Sequence, residues 1–206
     1  MGLDMYLYRM PRYKDTTPRQ IRAIEENILW QDAIASGKCD QSVTMKEWSG
    51  YSHDDLPPED AFWHYVPFCI VRYAQWDTEK KYPYKEIMEE AACWRKANQI
   101  HNWFVNRVQD GIDDCNYHRE VTEEDLKSLL EDCKFVLKNA CCKDSGEWVV
   151  FPKARERLPV AEGFFFGSYD YDEWYIENIK DTIVQITNVL ATTDFETQML
   201  YYVSSW

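Results

Sequence analysis

No apolar run in this sequence approaches the roughly 18–20 residues that cross a bilayer, so no membrane association is expected. The start, Met1-Gly2-Leu3-Asp4-Met5, lacks a basic stretch and a long apolar stretch, so no secretory leader is expected either. Glycine and proline are scarce, 7 and 8 residues of 206, which excludes collagen-like and low-complexity chains. Cations are in deficit: 23 Lys and Arg stand against 36 Asp and Glu, a formal net charge of −13. A general binder of nucleic acid or of membrane surfaces needs cationic patches, so both are disfavoured. The glycine-rich phosphate loops G-x-x-x-x-G-K-[ST] and G-x-G-x-x-G are absent, as are H-E-x-x-H and G-x-S-x-G. A standard nucleotide hydrolase, dinucleotide enzyme, zinc protease or α/β-hydrolase is therefore not indicated.

What is abundant is aromatic. Phe, Trp and Tyr reach 16% of the chain, and hydrophobic residues 45%, which excludes intrinsic disorder. A chain of this length can bury a real core, and it shows no linker or repeat, so one domain over 1–206 is expected. The 7 cysteines are odd in number and fit a reducing cytoplasm, most of them as small buried hydrophobes. Cys115, His118, Cys133, Cys141 and Cys142 invite a zinc reading, but their spacing lacks paired C-x2-C units, so no metal is expected. The acidic stretch Asp54, Asp55, Glu59 and Asp60 between His53 and His64 reads as a solvated loop around Pro57-Pro58 rather than as a metal cluster. Charge is uneven: residues 1–22 are locally basic, and residues 110–133 strongly acidic.

Periodicity gives an α+β class, a single helix-dominated domain with a few short strands. Leu3, Met5 and Leu7 alternate with polar or aromatic residues as in a strand. Thr17-Pro18 reads as a cap and first residue of a helix to about Ser36. A short strand is expected near Val43, and Pro67 interrupts an apolar stretch over 62–73. One continuous helix is expected over 84–110, burying Cys93, Ala97, Ile100, Phe104 and Val108. Thr122 caps a helix to about Asn139, with Leu126, Leu129, Leu130, Cys133 and Leu137 on its apolar stripe. Residues 148–151 read as a strand and 155–160 as a loop. Residues 164–166 read as a strand or tight turn. A last helix spans 172–190, with Trp174, Ile176, Ile179, Ile183, Ile186 and Leu190 available for packing, and the aromatic end closes as a strand or docked tail.

Two stretches concentrate interaction chemistry. On a continuous helix Trp94, Asn98 and His101 share a face, and Arg95, Asn98 and Asn102 share an adjoining one. With Lys96 they form a band of indole, guanidinium, amides and imidazole, able to hold a phosphate or carboxylate, read a flat edge and stack a ring. The same band can serve as a buried network joining the helix to loops. The second stretch is Phe166-Gly167-Ser168, followed by Tyr171 and Asp172. Gly167 permits a close backbone approach. Ser168 and Asp172 lie near a helix start, where free N–H groups can hold an anion; alternatively Ser168 or Asp170 simply caps that helix. No catalytic triad stands out among 4 histidines, and no cofactor is indicated.

Met1-Gly2-Leu3-Asp4-Met5-Tyr6-Leu7, Trp94-Arg95-Lys96-Ala97-Asn98-Gln99-Ile100-His101, Gly163-Phe164-Phe165-Phe166-Gly167-Ser168 and the Tyr-rich end together resemble a known family. It is a family of small, functionally uncharacterised proteins encoded by bacteriophages and prophages. The resemblance covers most of the chain and keeps the motif order. It implies a host-cytoplasmic accessory protein that binds and neutralises a host factor, such as a defence protein. Its acidic surface would meet a basic partner and its aromatics would anchor it. A sponge for a phosphorylated, nucleotide-type small molecule is the alternative, using Arg95, Lys96, Asn98 and His101. An enzyme on a nucleotide with His101 as base is the third. Homo-oligomers remain open.

Overall fold

The computed structural model describes residues 2–66, 87–163 and 165–206. The fold is α+β, helices with a few short strands in two small sheets. The backbone groups into two compact units, Met1–Arg9 with Glu90–Trp206, and Met10–Glu89.

The larger unit holds the core. Strand β1 (Asp4–Pro11) lies between β2 (Glu89–Arg95) and β5 (Gln198–Ser205). Leu3, Met5 and Leu7 are fully buried on one face, as their alternation requires. Helix α4 (Asn98–Val108) follows β2, and α5 (Glu123–Lys138) and the long α7 (Glu173–Thr192) pack on one another. β3 (Ala140–Cys142) and β4 (Trp148–Val150) form an antiparallel hairpin, and α6 (Pro152–Arg157) follows. Phe104 stacks flat on Tyr202, ring centres 4.1 Å apart, and both are buried. Cys133 is buried among the α5 leucines, and Thr122 caps α5 through a reciprocal bond with Asp125.

The smaller unit contains α1 (Pro18–Ala35), α2 (Met45–Ser49) and a helical segment α3 over residues 59–66. Thr17 caps α1, with Gln20 closing the box and Pro18 at the first turn. Glu25 is buried on α1, accepting bonds from the Ile87 and Met88 amides and from Arg22. Burial pushes its carboxyl up to about 7.

Three sequence expectations are corrected. The continuous helix over 84–110 is instead a strand, a break and a helix (residues 84–86 fall outside the description). Ala92 and Trp94 are buried while Cys93 and Arg95 are exposed, the period-2 pattern of a strand. The Lys96 amide bonds the Leu3 carbonyl at 2.8 Å, and long-range pairing of this kind overrides local helical spacing. Residues 152–157 are helical, where a loop was expected from 155 onward: Pro152 sits at the first turn and presets its backbone. Val43 lies in no strand; its amide closes a turn onto Asp40. The part of the 62–73 stretch beyond 66 lies outside the described residues.

Candidate functional site

The polar band of the sequence divides into two sets. The first set is bonded within the protein, and all of it except Asn102 is buried. Asn98, only 1% exposed, donates to the Phe166 and Ser168 carbonyls at 3.2 and 2.8 Å and accepts from the Ala161 amide at 3.2 Å. One carboxamide thus ties α4 to the 161–168 loop at three points. The Trp94 indole donates to Thr182 at 3.0 Å. Gln99 donates to the Tyr175 carbonyl, and Asn102 to the Pro159 carbonyl. His101 lies between the Tyr202 hydroxyl (2.8 Å) and Asp113 (3.1 Å), and Trp206 donates to the same carboxylate. Burial holds the imidazole below its ordinary value, so the neutral ring donates from Nε2 to Asp113 and accepts at Nδ1. Phe166 is buried with its ring edge-on to His101.

The second set lines an open groove of about 570 Å³, within the range of small-ligand sites. Arg95 and Lys96 come from the β2–α4 junction, Ser168 from the loop, and Trp174 and Asn178 from α7. The Arg95 Nε is 3.5 Å from Asp4, a loose pair, and the two terminal amino groups of its fork have no partner among the described residues. Among the described residues, the Lys96 ammonium and the Asn178 carboxamide meet no partner. Trp174 is 75% exposed.

Lys96 is unusual in its backbone. Its φ is +58°, a left-handed conformation that favours glycine. Two glycines accommodate it. A Cβ on Gly167 would come within 3.0 Å of the Lys96 carbonyl oxygen, and one on Gly2 within 3.3 Å of Lys96 Cε. The expected close approach at Gly167 is therefore to Lys96.

The α7 start is closed by its own side chains. Asp172 accepts from the Tyr175 amide at 3.0 Å and from the Ser168 hydroxyl at 3.0 Å. A carboxylate already occupies the place an anion would take there, and the cap is Asp172 rather than the Ser168 or Asp170 expected from the sequence.

Of the sequence candidates, Arg95, Lys96, Asn98, Gly167 and Ser168 line this groove. Trp94 and His101 point into the core, Phe166 packs there, Asn102 borders a separate hollow beside Trp103 and Asp132, and Tyr171 borders another beside Trp148. Sequence reasoning put Trp174 among packing residues; the structure exposes it instead. The signal was present: Trp174 lies one turn from Asn178 and two from Asp181, on the polar face of α7, whereas Tyr175, Ile179 and Ile186 form the buried one.

Among the described residues no group of three His, Cys, Asp or Glu is arranged to hold a metal, and no helix is long and apolar enough to cross a membrane. His118 bonds Asp114 at 2.8 Å, and Cys115, Cys141 and Cys142 are exposed. His64 stacks on Tyr13, and Asp55 and Asp60 pair with Arg19 and Lys14. No family model, no curated protein and no solved structure matches the chain.

Proposed function

We propose that the protein is a binding protein whose groove captures a small molecule bearing a phosphate or carboxylate. The observation that carries this is Lys96. It adopts a backbone conformation costing on the order of 1–2 kcal/mol for a residue with a side chain. Two glycines make room for it, it lines the groove, and its ammonium has no partner among the described residues. Backbone strain held in place by its surroundings clusters at active sites and ligand clamps. Arg95 beside it supplies a planar fork for the same anion. In the setting the phage resemblance implies, an accessory protein in the host cytoplasm would act by withdrawing such a molecule. The catalytic alternative is less well supported, because His101, its base, is buried with both ring nitrogens engaged.

A second reading, capture of a host protein, is favoured by the exposed Phe165, Trp174 and Trp206 of the larger unit. Thermal melts with inorganic phosphate, ribose 5-phosphate and malonate separate the two. The groove reading expects at least one anion to raise the melting temperature of the native chain, and Lys96→Gly to abolish the rise. No shift with any anion, together with a host protein retained on immobilised protein and lost on Trp174→Ala, would favour the second reading.

A further inference from the structure

We infer that the groove takes a ring as well as a charge, and that its ligand class is an adenine nucleoside monophosphate, stacked on Trp174 and read at its edge by Asn178. This rests on the anion-binding reading above. Trp174 and Asn178 stand at i and i+4 of α7, so they are side by side on one face. Both line the groove that Arg95 and Lys96 enter from the β2–α4 junction.

Neither residue is there for the helix. An indole three-quarters exposed adds little to packing, and among the described residues its N–H has no partner. Asn is a poor residue for a helix interior, and the Asn178 side chain caps nothing and bonds nothing among the described residues. Most other polar side chains around the groove do have structural partners. Asn98 and Gln99 are bonded to backbone carbonyls, and Ser168 and Asp172 to one another. What remains is the Lys96 ammonium, an Arg95 guanidinium only loosely paired with Asp4, one flat π-surface and one carboxamide.

That set has a chemical complement. An indole face accepts a nucleobase, since every base offers a π-face. A carboxamide presents a donor and an acceptor side by side, which matches the N7 acceptor and N6 donor of adenine, whereas guanine offers two acceptors there. A monophosphate one ribose away meets the guanidinium and ammonium. A cavity of about 570 Å³ accommodates a ligand of that size.

Calorimetric titration of the full chain with AMP, GMP and ribose 5-phosphate tests this, with Trp174→Ala and Asn178→Leu alongside. Both changed residues lie on the surface of α7, and unchanged melts would show that the variants fold. The expected result is AMP binding about tenfold or more tighter than ribose 5-phosphate, the ring being worth that much by stacking. Trp174→Ala should bring AMP down to the ribose 5-phosphate level without changing the latter. Asn178→Leu should weaken AMP by about fivefold or more and erase its preference over GMP. Equal affinity of the native chain for AMP and ribose 5-phosphate would overturn the ring site while leaving the anion site standing. An AMP preference untouched by Trp174→Ala would also overturn it. No binding of ribose 5-phosphate or of AMP would remove the anion reading itself.

Discussion

Asn98 and Lys96 are two residues apart and do opposite things. Asn98 is buried, and both ends of its carboxamide are committed to backbone groups of the 161–168 loop. Lys96 sits in a left-handed backbone and lines a groove, and its ammonium has no partner among the described residues. His101 and Trp94 belong with Asn98; Arg95, Trp174 and Asn178 belong with Lys96. Residue type does not separate the two sets, since an indole and an amide occur in each. What separates them is whether their hydrogen-bonding capacity is already satisfied inside the protein. A satisfied polar group specifies the fold, and an unsatisfied one at a concave surface is available to a ligand.

The largest expected effect falls on the buried set. Asn98→Ala leaves two carbonyls and one amide without partners in a water-poor place, and should cost about 3 kcal/mol in a denaturant titration. A loss below about 1 kcal/mol would break the distinction from the buried side. Asn98→Asp is a sharper version, because it keeps the acceptor for Ala161 but turns a carboxylate toward the two carbonyls.

Titration contrasts the two units. His101 has its imidazole pKa lowered by burial, so the unfolded chain takes up its proton first. Its contribution to stability is present above the ordinary imidazole value near 6.5 and is lost as pH falls below it. Glu25 of the smaller unit runs the other way. With its carboxyl raised from 4.5 to about 7, its contribution is full below pH 4.5 and is lost as pH rises through about 7. Melting curves from pH 4 to 8 should show opposite slopes removed by His101→Phe and Glu25→Gln. A Glu25→Gln chain that keeps the native loss toward pH 8 would contradict the assignment.

How much of this was legible beforehand depends on how local each cause is. Thr17-Pro18 and Thr122 announced their helices because a cap and its partner lie within three residues. Cys133 was placed correctly in the core because α5 carries its apolar stripe over its whole length. The stretch around Cys93 misled because residues 93, 97, 100 and 104 fall at helical spacing, while the pairing of β2 with β1 involves residues some ninety positions away. The same distance hid the split in the polar band. That Asn98 meets Phe166 is a tertiary fact; Gly167, whose missing side chain predicts a close backbone approach, makes that approach to Lys96. The exposed Trp174 was readable from its place on the polar face of α7 and was outweighed by its hydrophobicity.

The smallest expected effect tests the strand against the helix. Cys93 is exposed on β2, so Cys93→Ala should change stability by less than about 0.5 kcal/mol. A cost of about 2 kcal/mol would restore a buried helical position there.

The separation of fold-bearing from ligand-bearing polar residues is tested most directly by Lys96→Gly, melted with and without ribose 5-phosphate. Glycine relieves the left-handed strain but loosens the unfolded chain, two effects of similar size and opposite sign, so the melt alone should stay within about 1 kcal/mol of native. The rise caused by ribose 5-phosphate in the native chain should vanish in the variant. A variant that melts far below native, or one that keeps the ligand-induced rise, would contradict the account.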